Sequence, residues 1–275
     1  MKLDLTRHPA RNLATQPDNP ATRPGNPKYF VYLKDLTCTM GKLYDELCKD
    51  YRFKEGLKTC INCGTCTAIC PAAEFYKYDP RKIVDTVQRK DEAEIEALLK
   101  SETIWYCGEC MSCVTRCPRN NGAGLVVMAL RNLSTKLGYF TESEKGRQLY
   151  PLTKALTGNI LNLGYCVHPD AIVFEDHPES GPVYEWVLEH KQDVFDRMGA
   201  AYGRQGEGAL RIVPKEDLDE LKAIFDETGA TERINLVEEC SRKKAEEMGM
   251  TLEEYRKYTY EHCSRGHFNN EEETR

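Results

Sequence analysis

Cysteine spacing is the feature of this 275-residue chain that most restricts what it can fold into. Eight of its 13 cysteines form two runs of four with the spacing C-x2-C-x2-C-x3-C, and a proline directly follows each run. The first run is Cys60, Cys63, Cys66 and Cys70, and the second, 47 residues further on, is Cys107, Cys110, Cys113 and Cys117. This repeated spacing predicts metal binding.

The spacing is typical of proteins that hold two [4Fe–4S] clusters, in which the fourth cysteine of each run binds the cluster of the other run. We therefore expect two [4Fe–4S] clusters with crossed ligands. The expected sets are Cys60, Cys63, Cys66 and Cys117 for one cluster, and Cys107, Cys110, Cys113 and Cys70 for the other. The first three cysteines of a run should lie on a tight loop. The fourth should start a helix, whose first position suits the proline that follows.

Zinc and disulfides are the alternatives for these cysteines. Zinc sites usually combine C-x2-C pairs across a longer loop, which two complete runs of four fit poorly. Because 13 is odd, a full disulfide framework is impossible. The remaining cysteines stand singly and are expected to be small buried apolar residues, although His262 beside Cys263 is suggestive of a metal or redox pair. They are Cys38, Cys48, Cys166, Cys240 and Cys263.

The composition indicates a globular protein, with 40% hydrophobic and 30% charged residues. A formal net charge of −6 argues against a nucleic-acid or anionic membrane surface as the main partner. No run of 18 apolar residues predicts a membrane span, and the first 27 residues lack the apolar stretch of a secretory signal. We therefore expect a cytoplasmic protein with no membrane span and no nucleic-acid partner.

The chain divides into three expected parts and is mainly α-helical. Residues 1–28 contain five prolines and predict an extended arm. Residues 29–140 predict a helical domain that carries both cysteine runs. Residues 141–275 predict a helical extension, in which a flexible link at 199–213 ends in a short strand.

Capping patterns predict several helix boundaries. Asp79 precedes Pro80, and Asp91 precedes Glu94 by three residues, so each aspartate should begin a helix between the two runs. Other signals predict helices over 125–137 before Gly138, from Thr141 with a break at Pro151, over about 183–199, before Gly229, before Gly249, and after Thr251.

Motifs for other redox chemistry are missing from the sequence. It contains no G-x-x-x-x-G-K-[ST] loop, no complete G-x-G-x-x-G, and no C-x-x-C outside the two runs. We therefore expect no catalytic residue. A cluster with four protein ligands has no open iron, so it should move electrons without binding a substrate.

Three strings carry a family resemblance: DPRKIVDTV, ETIWYCGECMSCVTRCPR and VMALRNL. Over roughly residues 50–140, the chain resembles the C subunit of heterodisulfide reductase. The resemblance implies an α-helical ferredoxin core, in which helices separate the two cluster loops. It also implies that both cysteine runs are ligands in full. Methanogen-type C subunits are expected to be much shorter than this chain.

The sequence after residue 140, with YFTESEKGRQ and the charged helices beyond Pro214, resembles the longer C subunits of sulfur-oxidising heterodisulfide-reductase-like complexes. That resemblance implies a catalytic B subunit, a flavin-containing A subunit and lipoate-linked sulfur on a lipoate-binding protein, all in the cytoplasm. The succinate dehydrogenase iron–sulfur subunit is less similar, because its plant-type [2Fe–2S] motif is absent here.

The expected function is therefore electron transfer between the catalytic and flavin-containing subunits of such a complex. The alternatives are a free two-cluster ferredoxin, the C subunit of a heterodisulfide reductase of the CoM-S-S-CoB type, and a redox-sensing regulator. Because half of the chain lies outside the cluster region, a docking role for the extension is also expected. The aromatic residues expected to anchor a partner are Trp186, Phe195, Phe225, Tyr255 and Tyr258.

Overall fold

The structure is a computed structural model that describes residues 43–172 and 181–265. Every regular element in these two ranges is helical, which confirms the expected fold class. The short strand expected at the end of the 199–213 link is wrong, since that segment consists of turns, bends and irregular backbone. The predicted arm, Cys38 and the His262–Cys263 side chains lie outside the described part.

The helices follow one another closely along the chain. They are α1 (Leu43–Leu47), α2 (Tyr51–Gly56), α3 (Thr65–Ala68), α4 (Ala72–Phe75), α5 (Pro80–Arg89), α6 (Glu92–Lys100), α7 (Ser112–Arg116), α8 (Ala123–Leu137), α9 (Glu144–Arg147), α10 (Leu149–Leu163), α11 (Gly181–Glu189), α12 (Lys191–Arg197), α13 (Lys215–Glu227), α14 (Ala230–Glu247) and α15 (Leu252–Arg265). None of the helices in the described ranges has both the length and the apolar character that a membrane crossing requires.

Side-chain caps begin several of these helices as predicted. The Asp79 carboxylate accepts hydrogen bonds from two backbone N–H groups in the first turn of α5, with Pro80 at the first position. Asp91 caps α6 by accepting from the Glu94 N–H. Thr251 caps α15 in the same way. Each cap satisfies a backbone donor that the first helical turn leaves unpaired, which stabilises a helix by about 1 kcal/mol.

Three helix predictions in the extension differ from the structure. Ser143, rather than Thr141, caps α9, because its hydroxyl accepts from the Gly146 N–H. Pro151 does not interrupt a helix, since it lies in the first turn of α10, where its missing N–H costs no hydrogen bond. The helix expected over 183–199 is divided at His190 into α11 and α12.

The first hydrophobic core surrounds α8, the longest apolar helix of the cysteine region. Val126, Val127 and Leu130 are fully buried on it, and side chains from α1, α2, α5 and α6 pack against them. Full burial of one such side chain contributes about 1.5–3 kcal/mol. α2 approaches α8 so closely that a Cβ atom at Gly56 would lie 2.9 Å from the Cβ of Leu125. This contact places the chain just before the first run against the chain just after the second.

A second core joins the extension to the cysteine region. Its buried residues are Phe140, Tyr150, Val237, Ala245 and Tyr255, and Trp105 packs against them from the segment that leads into the second run. Tyr255 is therefore a core residue, and its expected role as a partner anchor is wrong. Part of the extension therefore shares a hydrophobic core with the cysteine region.

Candidate metal centre

The two cysteine runs surround two hollows. A larger hollow of about 850 Å³ has Cys70, Cys107, Cys110 and Cys113 in its wall. A smaller one of about 30 Å³ is lined by Cys60, Cys63, Cys66 and Cys117, with Cys113 also reaching it. Each hollow therefore takes three cysteines of one run and the fourth of the other, in the combination that the spacing predicts. Which sulfur binds which iron stays a prediction.

The two loops repeat one backbone conformation. Two residues after the first cysteine, Asn62 (φ 60°) and Glu109 (φ 53°) are left-handed. Two residues further on, Gly64 (φ 82°) and Met111 (φ 59°) are left-handed as well. These reversals curl each loop, and the third cysteine then lies on the short helix α3 or α7. Because L residues seldom adopt this conformation, its recurrence at matching positions points to a shared structural demand.

Backbone N–H groups donate hydrogen bonds to three of the loop sulfurs, and two of these bonds occupy matching positions. The Asn62 N–H donates to the Cys60 Sγ at 3.3 Å, and the Glu109 N–H donates to the Cys107 Sγ at 3.4 Å. The Gly124 N–H, at the start of α8, donates to the Cys113 Sγ at 3.2 Å. Such donors stabilise negative charge on sulfur, which is the form that binds iron.

The middle cysteines carry a second matched device. The Thr65 Oγ1 lies 3.4 Å from the Cys63 Sγ, and the Ser112 Oγ lies 3.4 Å from the Cys110 Sγ. The hydroxyl hydrogen bond, followed by a backbone one, lowers the pKa of each of these exposed thiols. Both middle cysteines therefore form the thiolate more readily than an unperturbed thiol does.

The third cysteines are placed differently from the middle ones. Burial raises the pKa of the Cys66 thiol and of the Cys113 thiol, and the hydrogen bonds that oppose it are too weak to reverse the shift. A half-buried thiolate is costly unless a cation compensates its charge. Both positions are consistent with sulfurs that bind a metal.

The fourth cysteines differ between the runs. Cys70 leads through Pro71 into α4, close to the expected arrangement. Cys117 ends α7 in extended backbone, and the next helix starts only at Ala123, so the expectation that it starts a helix is wrong. The intervening residues have another task, since the Gly122 N–H donates to the Gly56 carbonyl at 2.8 Å and ties the two runs together.

The wall of the larger hollow fits a sulfur-rich group. The Tyr78 hydroxyl is buried there without a hydrogen-bond partner. Burial, together with the neighbouring Cys107 and Cys70 thiols, raises the pKa of Tyr78, so its hydroxyl keeps its proton and remains a donor. Among the described residues, no three His, Cys, Asp or Glu side chains converge on one point as ligands of a single ion do. A cube differs from a single ion because each of its four irons takes one thiolate, which suits sulfurs spread around a hollow.

Residues 56–121 match the family model of a 4Fe-4S dicluster domain. Three relatives are C-type subunits of heterodisulfide reductases. The C subunit of the ferredoxin:CoB-CoM heterodisulfide reductase of Methanosarcina acetivorans is 47% identical over 94 residues, which are 32% of this chain and 36% of that protein. The C2 subunit of the H(2)/formate:CoB-CoM heterodisulfide,ferredoxin reductase of Methanococcus maripaludis is 34% identical over 96 residues, 35% of this chain and 50% of that protein. The C subunit of the ferredoxin:CoB-CoM heterodisulfide reductase of Methanosarcina mazei is 26% identical over 136 residues, 49% of this chain and 76% of that protein.

The cysteine region of this chain is homologous to the C subunit of heterodisulfide reductase. The chain is an iron–sulfur protein. The matched part of this chain covers no more than half the length of the first two relatives. The Methanococcus maripaludis and Methanosarcina mazei proteins are shorter than this chain, as expected, because each match covers a larger share of the relative than of this chain. The expectation is wrong for the Methanosarcina acetivorans protein, whose match covers similar shares of both chains, so that the two are similar in length.

Three polar residues of this homologous region hold the loops, and sequence reasoning missed them. The Gln88 side chain accepts from the Cys60 N–H at 2.7 Å and donates to the Cys60 carbonyl at 3.2 Å. The Asn121 side chain, 5% exposed, accepts from the Lys58 N–H and donates to the Thr59 carbonyl. These two residues fix the chain at and before the first cysteine.

Arg131, the third of them, holds the second loop. Its guanidinium donates to the carbonyls of Ile104 and Cys107, at 2.7 and 2.6 Å, and pairs with the Glu109 carboxylate at 2.6 Å. It also lies over the Trp105 ring, 5.4 Å from the centroid. A polar residue beside the buried face of a helix is the signal that could have revealed both Gln88 and Arg131.

Proposed function

We propose that this chain holds two [4Fe–4S] clusters and transfers electrons as a subunit of a heterodisulfide-reductase-type complex. One cluster takes Cys60, Cys63, Cys66 and Cys117, and the other takes Cys107, Cys110, Cys113 and Cys70. The supporting observation is that each hollow is lined by three cysteines of one run and the fourth of the other. Bound clusters of this kind supply reversible one-electron oxidation and reduction.

The protein residues prepare this chemistry in three ways. Backbone N–H groups donate to the first cysteine of each loop, and a hydroxyl within hydrogen-bond distance of each middle cysteine lowers the pKa of that thiol. Apolar side chains of the first core pack against several of the cysteines, and such surroundings help to set cluster potentials. Cys113 lies in the wall of both hollows, so the proposed clusters are separated by a thin wall and an electron has a short path between them.

A complex is favoured over a free ferredoxin by the exposed apolar residues of the extension. Val183 and Met198 are 75% and 73% exposed, and Trp186 is 51% exposed. No side chain of α11, α12 or α13 is fully buried. A stable interface buries about 800 Å² per partner, and exposed aromatic and methionine side chains are suitable contributors. We propose that these helices dock the catalytic subunit or the flavin-containing subunit.

The sulfur-oxidising form of such a complex, in the cytoplasm and fed by a lipoate-binding protein, is the first candidate. Its support is the resemblance of the sequence after residue 140. A heterodisulfide reductase of the CoM-S-S-CoB type is the second candidate, and it is supported by the names of the relatives. In both candidates this chain transfers electrons and has no catalytic site of its own.

Anaerobic purification of the tagged chain from its native source tests these proposals. We expect about eight irons per chain, together with a catalytic and a flavin-containing subunit. A monomer with eight irons would instead support the free ferredoxin, and about four irons or mainly zinc would refute the cluster assignment. Oxidation of a lipoate-linked sulfur substrate by the complex would select the first candidate, and reduction of the CoM–CoB heterodisulfide would select the second. The isolated chain should turn over neither.

A further inference from the structure

The larger hollow has a wall that comes from outside the dicluster domain. Lys145 and Gln148, which follow the matched residues 56–121, line it together with Cys107 and Cys110. The smaller hollow receives no residue from the described part of the extension. The two proposed clusters therefore differ in their dependence on the extension.

Short-range contacts fix the backbone at Lys145. The Glu102 carboxylate, five residues before Cys107, accepts from the Lys145 N–H at 3.0 Å and also from the Glu144 N–H. A side chain at Gly146 would clash with the Phe140 carbonyl and approach the Trp105 Nε1 to 3.0 Å. The first turn of α9 is thus packed on the segment that enters the second cysteine run.

The Lys145 side chain extends from this turn over two stacked rings. Tyr76 and Tyr106 stack with centroids 4.5 Å apart, and the Lys145 Nζ lies 5.1 and 5.7 Å from the two centroids. Tyr106 directly precedes Cys107, and Tyr76 follows the helix that begins after Cys70. The ammonium is therefore held against the aromatic wall of the larger hollow by cation–π attraction.

Among the described residues, no carboxylate neutralises the charge of Lys145 through an ion pair. Arg131 lines the same hollow but is paired with Glu109. Glu74 contributes a carboxylate to the wall without pairing with Lys145. A bound cube with four thiolates has a net negative charge, which increases by one unit on reduction. A fixed cation nearby stabilises the reduced form more than the oxidised form.

We infer that Lys145 is a potential-setting residue, which raises the reduction potential of the cluster held by Cys107, Cys110, Cys113 and Cys70 and leaves the other cluster unchanged. This inference rests on the proposed function, because it requires both clusters. It also gives the extension a direct part in electron transfer, in addition to docking.

Reduction potentials of the full, iron-loaded chain test the inference. Lys145→Gln removes the charge, Lys145→Arg keeps it, and Lys136→Gln removes an exposed charge on α8 that lines neither hollow. Titrations followed by electron paramagnetic resonance should show one of two reduction steps moving to lower potential in Lys145→Gln. A tenfold change in that equilibrium corresponds to about 59 mV for one electron. Lys145→Arg and Lys136→Gln should keep both wild-type steps.

The step that moves should be the one that Cys110→Ser alters. Unchanged potentials in a Lys145→Gln protein with full iron content would overturn the inference, and so would an equal shift of both steps. Those outcomes leave the proposed function standing. A wild-type chain that binds no iron would overturn both.

Discussion

The first cysteine loop is held at Cys60 by the neutral amide of Gln88, whereas the second is held at Cys107 by the guanidinium of Arg131. The loops share their left-handed positions and their sulfur hydrogen bonds. What differs is the support behind them. The repeated features follow from what the cluster loops need, and the differing ones follow from what each loop packs against.

The two loops also differ in which part of the chain packs against them. The first loop is fixed by nearby residues of the cysteine region, with Asn121 reaching back to Lys58 and Thr59. The extension contacts the region of the second loop in two ways. Its buried residues pack against Trp105, which precedes that loop, and its Lys145 lines the larger hollow. Changes in the extension should therefore affect the second loop more than the first.

The largest expected effect is loss of a whole cluster. Cys70→Ser should damage the cluster of Cys107, Cys110 and Cys113, and Cys117→Ser should damage the cluster of the first run. Either variant should hold about four irons instead of about eight, because each cube depends on the fourth cysteine of the other run. Iron analysis with Mössbauer or electron paramagnetic resonance spectra identifies the surviving cluster. If each lesion stays within its own run, the crossed assignment is wrong.

A change at the shared contact of α2 and α8 should affect both loops equally. In Gly56→Ala, the new Cβ would lie 2.9 Å from the Leu125 Cβ and 3.0 Å from the Gly122 carbonyl and the Val126 nitrogen. Two of these neighbours are backbone atoms at the start of α8 and cannot move aside, so the variant should lose about 1–3 kcal/mol of stability. Thermal unfolding of the iron-loaded chain measures this loss.

Gly158→Ala is the matched control for Gly56→Ala. A Cβ at Gly158, within α10, meets no atom within 4 Å apart from the neighbouring backbone of its own helix. Alanine should therefore stabilise that helix by about 0.4–1 kcal/mol. If both variants unfold at the wild-type temperature, the close approach of α2 and α8 does not restrict the fold as argued.

The two side-chain supports should separate the loops from each other. Arg131→Met removes two hydrogen bonds to backbone carbonyls and one ion pair, and should cost about 2 kcal/mol, since hydrogen bonds from charged groups are the stronger kind. Gln88→Met removes two neutral hydrogen bonds and should cost about 1 kcal/mol. Iron release to a chelator should accelerate for the second-run cluster in Arg131→Met and for the first-run cluster in Gln88→Met. If either variant released iron faster from both clusters to the same extent, the assignment of one supporting side chain to each loop would be wrong.

The cysteine pattern predicted that the first three cysteines of a run share a hollow because a short loop brings them together, and the crossed fourth cysteine was predicted from the pattern of two-cluster proteins. Capping patterns at Asp79, Asp91 and Thr251 predicted helix starts because those caps are local. Gln88 and Arg131 could not be predicted in the same way. Their partners lie 28 and 24 residues away, and only the packing of the helices brings them together.

The extension was predicted less well for a similar reason. Tyr255 was expected to be an exposed anchor because it is an aromatic residue in a charged helix, yet it is fully buried and packs on Tyr150, more than a hundred residues earlier in the chain. Pro151 resembles a helix breaker in isolation, but its position in the first turn of α10 removes the conflict. Long-range packing decided the case of Tyr255, whereas the exact start of α10 decided that of Pro151.

The smallest expected effect concerns the hydroxyls, which both loops share. Thr65→Val and Ser112→Ala each remove the hydroxyl that lies 3.4 Å from the middle cysteine of a run. That hydrogen bond holds the pKa of the Cys63 or Cys110 thiol below its usual range, so its loss should let the pKa rise. A higher pKa means less thiolate at a pH near 8, and only the thiolate reacts with an alkylating reagent. In the iron-free chain, iodoacetamide should therefore modify the affected cysteine about twofold more slowly. Peptide mapping by mass spectrometry measures each site, with Cys166 as an internal reference because it is exposed and belongs to neither run. A slower reaction at Cys63 but not at Cys110, or the reverse, would show that the hydroxyl is a further difference between the loops rather than a feature they share.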